Sequence, residues 1–451
     1  MWPQESTLHT RSHSNPVFPL CCKEGKVKLP PRREPPDFLK ELLHSSTPRS
    51  RHFREAIRIY NAMFSFISLG GKVDRGINAG GGVYVYSISG QIYHNIGSLL
   101  PEEGQPPKFA QLYIHESRSE LQNRLQLFPA DDHSNPLRPE IVQGLQDMLD
   151  NNNVLVQTFR MARQRMNEAG VQEVKIKLFA NHAHDGREYD LPTGNDVATL
   201  IVDETGQDTF QPDIIVQYKC SKLERINFHH PSLMALQYPL LFPYGEDGWH
   251  PGIPCIDDEE NLWNDNTLSQ CDYYAYRLQT RFDQSNALLL TGKLFQQYVV
   301  NAYALVEAER LEWIRNNQSK LRAHYVSGLL NAFLRGDSDL DLTGKHVILA
   351  ASHTGSPRYK YENFQDAMAI CRWLGYPDLF ITFTCNANWP EIQFMVDLIN
   401  SDGRKDINRS DIIARVFKLK LHQLMSEIKD KKFFGQQLDV TAATELFSIP
   451  C

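Results

Sequence analysis

The sequence predicts an α+β protein, and three observations carry that prediction. Helical 3.6-residue spacing recurs along the chain, short alternating segments of strand type stand among those helices, and near residue 350 the order becomes strand, helix, strand. Strand, crossover helix and strand make a split βαβ unit. The expected architecture is therefore an N-terminal mixed α/β region followed by a partial split-βαβ domain.

The 451 residues allow two or three domains, and the 41% apolar content supports a real core. The net charge of −7 excludes a global basic field, so any nucleic-acid contact must be local. No apolar run is long enough to span a bilayer, and the chain opens polar, without a secretory pattern. Eight cysteines in this length form no disulfide framework. A soluble intracellular protein is expected.

Residues 1–50 are rich in Pro, Ser and charge. Pro30-Pro-Arg-Arg-Glu-Pro-Pro36 suits neither a helix interior nor a central strand, and a short amphipathic helix is expected at Asp37–Leu43. A mixed α/β region spans 51–245. Phe53, Ile57, Tyr60 and Phe64 predict a helix over Arg51–Leu69, stopped by Gly70-Gly71. Gly82–Ser89 reads as a strand, Gly90–Gly97 as a turn and Phe109–His115 as another strand. Glu140–Asn151 and Asn153–Ala169 read as helices, and Val174–Phe179 as an alternating strand. Asp213–Tyr218 and Leu223–Phe228 suggest a hairpin.

Two histidine pairs fall in this region. His182-Ala-His184 has the His-x-His form of metal sites, but Gly186 and Arg187 behind it suit a hairpin turn. His229-His230-Pro231 precedes an apolar run that reads as buried packing, with metal ligation the other reading.

Residues 246–270, full of turn formers and charges, are expected to be a linker. The domain at 271–435 opens with helices across Tyr274–Thr280 and Lys293–Asn316. His346–Leu349 reads as a strand. The loop Thr354-Gly-Ser-Pro-Arg358 follows, where Thr354, Ser356, Arg358 and backbone N–H groups can meet phosphate; its Gly and Pro equally suit a plain turn. A helix over Asn363–Leu374 is expected, capped by Asn363 with Asp366 three residues on, and ended by Gly375. Next, Leu379, Ile381, Phe383 and Cys385 alternate with Phe380, Thr382 and Thr384, as a strand with one apolar and one hydroxyl face would. A turn through Asn386 and an N-cap at Asn388 lead into a helix at Pro390. Thr382, Thr384 and Asn386, beside a helix N-terminus, can face an anion such as phosphate, or can be the surface of an ordinary core strand. A helix over Asp411–Lys431 and a divergent tail at 436–451 close the chain.

The wording of Tyr359–Glu391 resembles the helicase-like, replication-initiator region of Helitron transposons, which are rolling-circle elements. The segment Phe380–Thr384 is similar to the first motif of rolling-circle initiators. Gly90–His94, Gln111–His115, Arg187–Pro192 and Pro231–Gly245 share the likeness, which covers most of 21–435. The resemblance implies a ferredoxin-like initiator domain, DNA as partner and a nuclear location. It further implies strand nicking by a Tyr nucleophile, with two His holding Mg²⁺ or Mn²⁺, and an ATP-driven helicase in the full-length family. Cys21-Cys22 matches a finger-like segment in which an upstream Cys-x-x-Cys pair is usual; that pair is absent here, and two adjacent thiols make no tetrahedral zinc site alone.

The chain departs from the pattern where chemistry would sit. No His lies beyond His422, no Tyr beyond Tyr376, and no phosphate-binding Gly-x-x-x-x-Gly-Lys-Ser/Thr occurs. The expectation is a truncated initiator region without catalytic residues, metal site or cofactor of its own, retaining DNA contact through Thr354, Ser356, Arg358, Thr382, Thr384 and Asn386. An active nuclease using His182 and His184, and a decayed product without selected function, are the alternatives.

Overall fold

The computed structural model describes residues 18–74, 76–78, 84–114, 120–127, 137–169, 175–178, 198–201, 214–217, 224–256, 262–281, 284–321, 347–376, 379, 381–386, 388–399 and 409–430. They fall into two compact units, one from the described parts of Met1–Ala302 and Ala387–Val416, the other from those of Tyr303–Asn386 and Phe417–Phe447. Helices and small antiparallel sheets coexist, so the protein is α+β.

In the first unit, helices α1 (Pro19–Cys22), α2 (Asp37–His44) and α3 (Pro48–Phe64) come first. The Thr47 hydroxyl accepts the Ser50 N–H at 3.2 Å and Pro48 occupies the first turn, which places the start of α3 three residues before the predicted one. Phe53, Ile57, Tyr60 and Phe64 are all buried, as their spacing requires.

The two glycines after α3 do not simply stop it. They lie inside strand β1 (Ser68–Val73), antiparallel to β2 (Ile88–Ile96). A Cβ on Gly70 would sit 2.3 Å from the Tyr93 ring, and Gly71 has φ +128°, so absent side chains let this strand accept an aromatic ring and a bulge. The strand expected at 82–89 is shifted: residues 84–87 carry no strand, and β2 runs through the segment expected to turn at Gly90.

Phe109–His115 corrects in kind. Gln111–Ile114 is a short helix, α4, with Leu112, Tyr113 and Ile114 buried in succession, which an alternating strand on one sheet face does not do. Phe66 stacks on Tyr113 with ring centroids 4.4 Å apart, and the Tyr113 hydroxyl donates to the Phe64 carbonyl at 2.6 Å.

Helices α5 (Glu120–Leu127), α6 (Pro139–Asn152) and α7 (Val154–Ala169) pack beside it. The junction of α6 and α7 is Asn153, whose Oδ1 accepts the Val156 N–H at 3.1 Å. Arg124 is fully buried between the Phe64 and Tyr113 rings, 4.4 and 4.7 Å from their centroids. It donates to the Met63 carbonyl and pairs with Glu120 at 2.7 Å, and Arg160 joins Glu120 (2.9 Å) to Asp150 (3.0 Å).

Strand β3 (Lys175–Leu178) is the centre of a second sheet, between β4 (Ala198–Ile201) and β5 (Ile214–Gln217). The predicted hairpin of 213–228 is not formed: β5 pairs with β3, whereas β6 (Glu224–Arg225) pairs with β2. Two adjacent strand-competent segments took partners distant in sequence, since a two-stranded hairpin by itself is only marginally stable. His182 and His184 lie outside the described residues. His230 is buried at 2% exposure and its Nδ1 accepts the Ser232 N–H at 3.2 Å.

Helix α8 (Leu233–Gln237) is entirely buried. The turn-rich stretch after it holds strands β7 (Pro254–Ile256) and β8 (Leu262–Thr267), paired antiparallel, and buries Trp249, whose indole N–H donates to the Leu268 carbonyl at 2.8 Å. Helices α9 (Gln270–Arg277), α10 (Ala287–Leu290) and α11 (Lys293–Asn316) follow. Tyr238, Tyr274 and Tyr298 meet edge to face, with centroids 5.7 and 6.1 Å apart. His94 on β2 is buried at 3% exposure, and Asn301 of α11 donates to its Nε2 at 3.0 Å.

Among the described residues no helix is long and apolar enough to cross a membrane.

Candidate nucleic-acid interface

The six residues singled out by the sequence all lie in the second unit. Residues 347–349 form no strand. The Gln318 side chain holds Ile348 instead, accepting its N–H at 2.9 Å and donating to its carbonyl at 3.0 Å. A side-chain amide thus replaces the neighbouring strand that a ladder needs. The chain then turns through Gly355, with φ +80°, and His353 Nδ1 lies 3.6 Å from the Glu307 carboxylate.

Helix α12 (Pro357–Leu374) starts six residues before the predicted cap at Asn363. Ser356 is the cap: its hydroxyl oxygen accepts the Tyr359 N–H at 3.0 Å and its O–H donates to the Ala350 carbonyl at 3.1 Å. Ser356 is 2% exposed, so of the predicted loop contacts it is the one whose hydroxyl is already spent. Thr354 is exposed, and half-buried Arg358 donates weakly to the Leu321 carbonyl at 3.4 Å, leaving most of its guanidinium uncommitted by that bond. Ser-Pro at the helix start was a legible signal; Asn363 and Asp366 mimic a cap inside the helix. At the other end, Gly375 (φ +91°) terminates α12 as its position predicted.

The segment after α12 corrects the strongest strand expectation. Among its described residues, 379 and 381–386, no strand forms, and the face meant for burial is open: Leu379 is 60% and Ile381 48% exposed, with Cys385 exposed too. Alternation makes a segment competent for a strand, but a strand exists only where another backbone completes its ladder. Phe383 stacks on Phe417 with centroids 5.4 Å apart and planes 17° apart. Thr382, Thr384 and Asn386 are exposed.

Helix α13 (Pro390–Ile399) begins at the proline the sequence marked, and α14 (Ser410–Lys429) follows. Within the first unit Ile392, Ile412 and Val416 form a small core with Trp389 and Met395. Arg409 grips Asp411 through two bonds of 2.8 and 2.7 Å at the start of α14. Sequence reasoning missed Gln318 and Phe417. No local signal could have found Gln318, since its partner lies 30 residues away.

Residues 273–446 match the family model described as "Helitron helicase-like domain at N-terminus". This segment is a Helitron helicase-like N-terminal region. It contains all six candidate residues. The match leaves the likeness read over 21–272 outside it. No curated protein matches the chain. Among the described residues no group of three His, Cys, Asp or Glu side chains converges as metal ligands would.

Proposed function

We propose that this protein is a Helitron-derived initiator fragment that contacts the DNA backbone and does not itself cut it, working in the nucleus. The observation that carries the reading is that the Helitron-like segment presents exposed Thr354, Thr382, Thr384 and Asn386 together with Arg358 in one unit. Hydroxyl, amide and guanidinium donors of this kind hold phosphate without reading bases. Helix α14 of the same segment carries four basic and two acidic side chains, a local positive excess in an acidic protein. Ser356 serves as a helix cap in this reading rather than as a ligand, and the exposed apolar Leu379 and Ile381 mark an edge that a ferredoxin-like sheet would cover. The non-cutting half of the proposal is supported, within the matched residues 273–446, by the lack of any His after His422 or any Tyr after Tyr376.

Fluorescence polarisation with a labelled single-stranded oligonucleotide across a salt series tests the binding. Binding is expected to weaken with salt, and Arg358→Gln to flatten the log–log slope by about 0.7. Thr382→Val with Thr384→Val should weaken binding while leaving stability within about 0.5 kcal/mol, whereas Ser356→Ala should cost about 1 kcal/mol of stability. Salt-insensitive or undetectable binding refutes the DNA contact. A covalent protein–DNA adduct formed with Mn²⁺ refutes the non-cutting half.

A further inference from the structure

Four arginines crowd one side of the first unit where the Pro-rich segment meets α9. Arg32 donates to the Arg277 carbonyl, and Arg277 Nη1 donates to the Pro30 carbonyl at 2.7 Å. Arg281 Nη1 donates to the Tyr276 carbonyl at 2.6 Å and Nη2 to the Cys21 carbonyl at 3.5 Å, with its guanidinium carbon 3.4 Å from the Tyr276 ring centroid. Arg33 lies over Tyr244 at 5.6 Å. Backbone carbonyls orient these guanidiniums and aromatic faces support them, but neither removes their charge.

The carboxylates nearby are engaged elsewhere. Asp272 pairs with Lys23 at 2.6 Å and Glu34 with Lys40 at 2.9 Å. Burial pushes the Glu246 carboxyl up to about 7, so it is a weak counter-charge at neutral pH. Burial, and then the charge of Arg277, push Arg32 down to about 10, and its Nε is buried without a hydrogen-bond partner among the described residues. Like charges gathered in partial burial with an unused donor are costly unless an anion completes them.

We propose that Arg32, Arg277 and Arg281 form a binding site for a phosphate oxyanion. Half-buried Arg277 and Arg281 are reachable from solvent, and the planar guanidinium fork matches the spacing of phosphate oxygens. The same chemistry serves a free phosphate and a nucleic-acid phosphodiester. The site shares no residue with Thr354, Arg358, Thr382, Thr384 and Asn386, and it stands whether or not those residues bind DNA.

The test uses the full chain, with Arg277→Gln, Arg281→Gln and, as a control of equal charge change, Arg310→Gln, whose side chain pairs with Glu307 at 2.7 Å. In one arm, melting is followed as inorganic phosphate replaces chloride at matched ionic strength. In the other, polarisation of a single-stranded oligonucleotide is titrated. Loss of one charge-assisted contact should weaken binding about tenfold or more in the two site variants and leave the control near wild type. A phosphate response assigns a free ion; an oligonucleotide response alone assigns a nucleic-acid backbone. Arg281→Lys keeps the charge and loses the fork, so it serves if the Gln variants do not fold, and unchanged affinity in it counts against the site. No response in either arm, or equal behaviour of site variants and control, overturns the proposal.

Discussion

His94 makes the stability of the first unit depend on acid in a way that can be isolated. The side chain is 3% exposed on β2, and the Asn301 amide donates to its Nε2 at 3.0 Å, which requires that nitrogen to be unprotonated. Burial pushes the imidazole from its ordinary 6.5 down to about 4, against a smaller opposing effect of the Asn301 bond. Between those values the unfolded chain binds a proton that the folded chain refuses, so stability rises with pH. It is fully present above 6.5 and is lost as pH falls toward 4. At ~1.36 kcal/mol per pH unit the whole loss amounts to about 3 kcal/mol. Glu246 titrates in the opposite sense: its carboxyl is raised from 4.5 to about 7, so the contribution of its neutral form disappears as pH rises through that window. The two partly cancel in the wild type. His94→Gln keeps an acceptor for Asn301 and leaves Glu246 untouched, so the difference between the two proteins reports His94 alone. Urea unfolding at a series of pH values from 7.5 to 4 should show the wild-type-minus-variant stability shrinking by about 3 kcal/mol. A difference that stays constant across the series would refute the argument that His94 is held neutral by burial.

Two further outcomes follow from the same unit. Arg124→Ala should destabilise by about 3–5 kcal/mol, because it empties the slot between Phe64 and Tyr113 and strips Glu120 of a partner at 2.7 Å, and Arg124→Met, which loses the same charge but refills the slot, should cost less; equal urea midpoints for both would contradict a contribution from packing between the two rings. Gly70→Ala should cost about 1–3 kcal/mol by pressing a Cβ onto the Tyr93 ring, and most of that cost should vanish in a Tyr93→Ala background; an undiminished cost in the double variant would place the strain elsewhere.

Local rules wrote much of this protein legibly. The apolar stripe Phe53, Ile57, Tyr60 and Phe64 predicted α3, and α7, α11 and α14 also form where helices were expected; α11 runs from Lys293 to Asn316 as predicted, because amphipathic periodicity over five or more turns outweighs other signals. Gly375 and Pro390 marked a helix end and a helix start for reasons internal to the chain, one a left-handed φ and the other a missing N–H. Tyr359–Glu391 carried the Helitron likeness in its wording alone, and the match at 273–446 agrees with it.

What the sequence could not decide was which backbone each strand-competent segment would meet. Asp213–Tyr218 and Leu223–Phe228 looked like a hairpin and went to separate sheets, and Gly70-Gly71 looked like a stop and became the floor under Tyr93. Leu379–Cys385 alternated well and formed no strand among its described residues. Helical hydrogen bonds close within four residues, so a helix is written where it forms. A strand is half of a bond whose other half lies elsewhere in the chain, and so do the carbonyls that gather Arg32, Arg277 and Arg281 and the amide by which Gln318 holds Ile348.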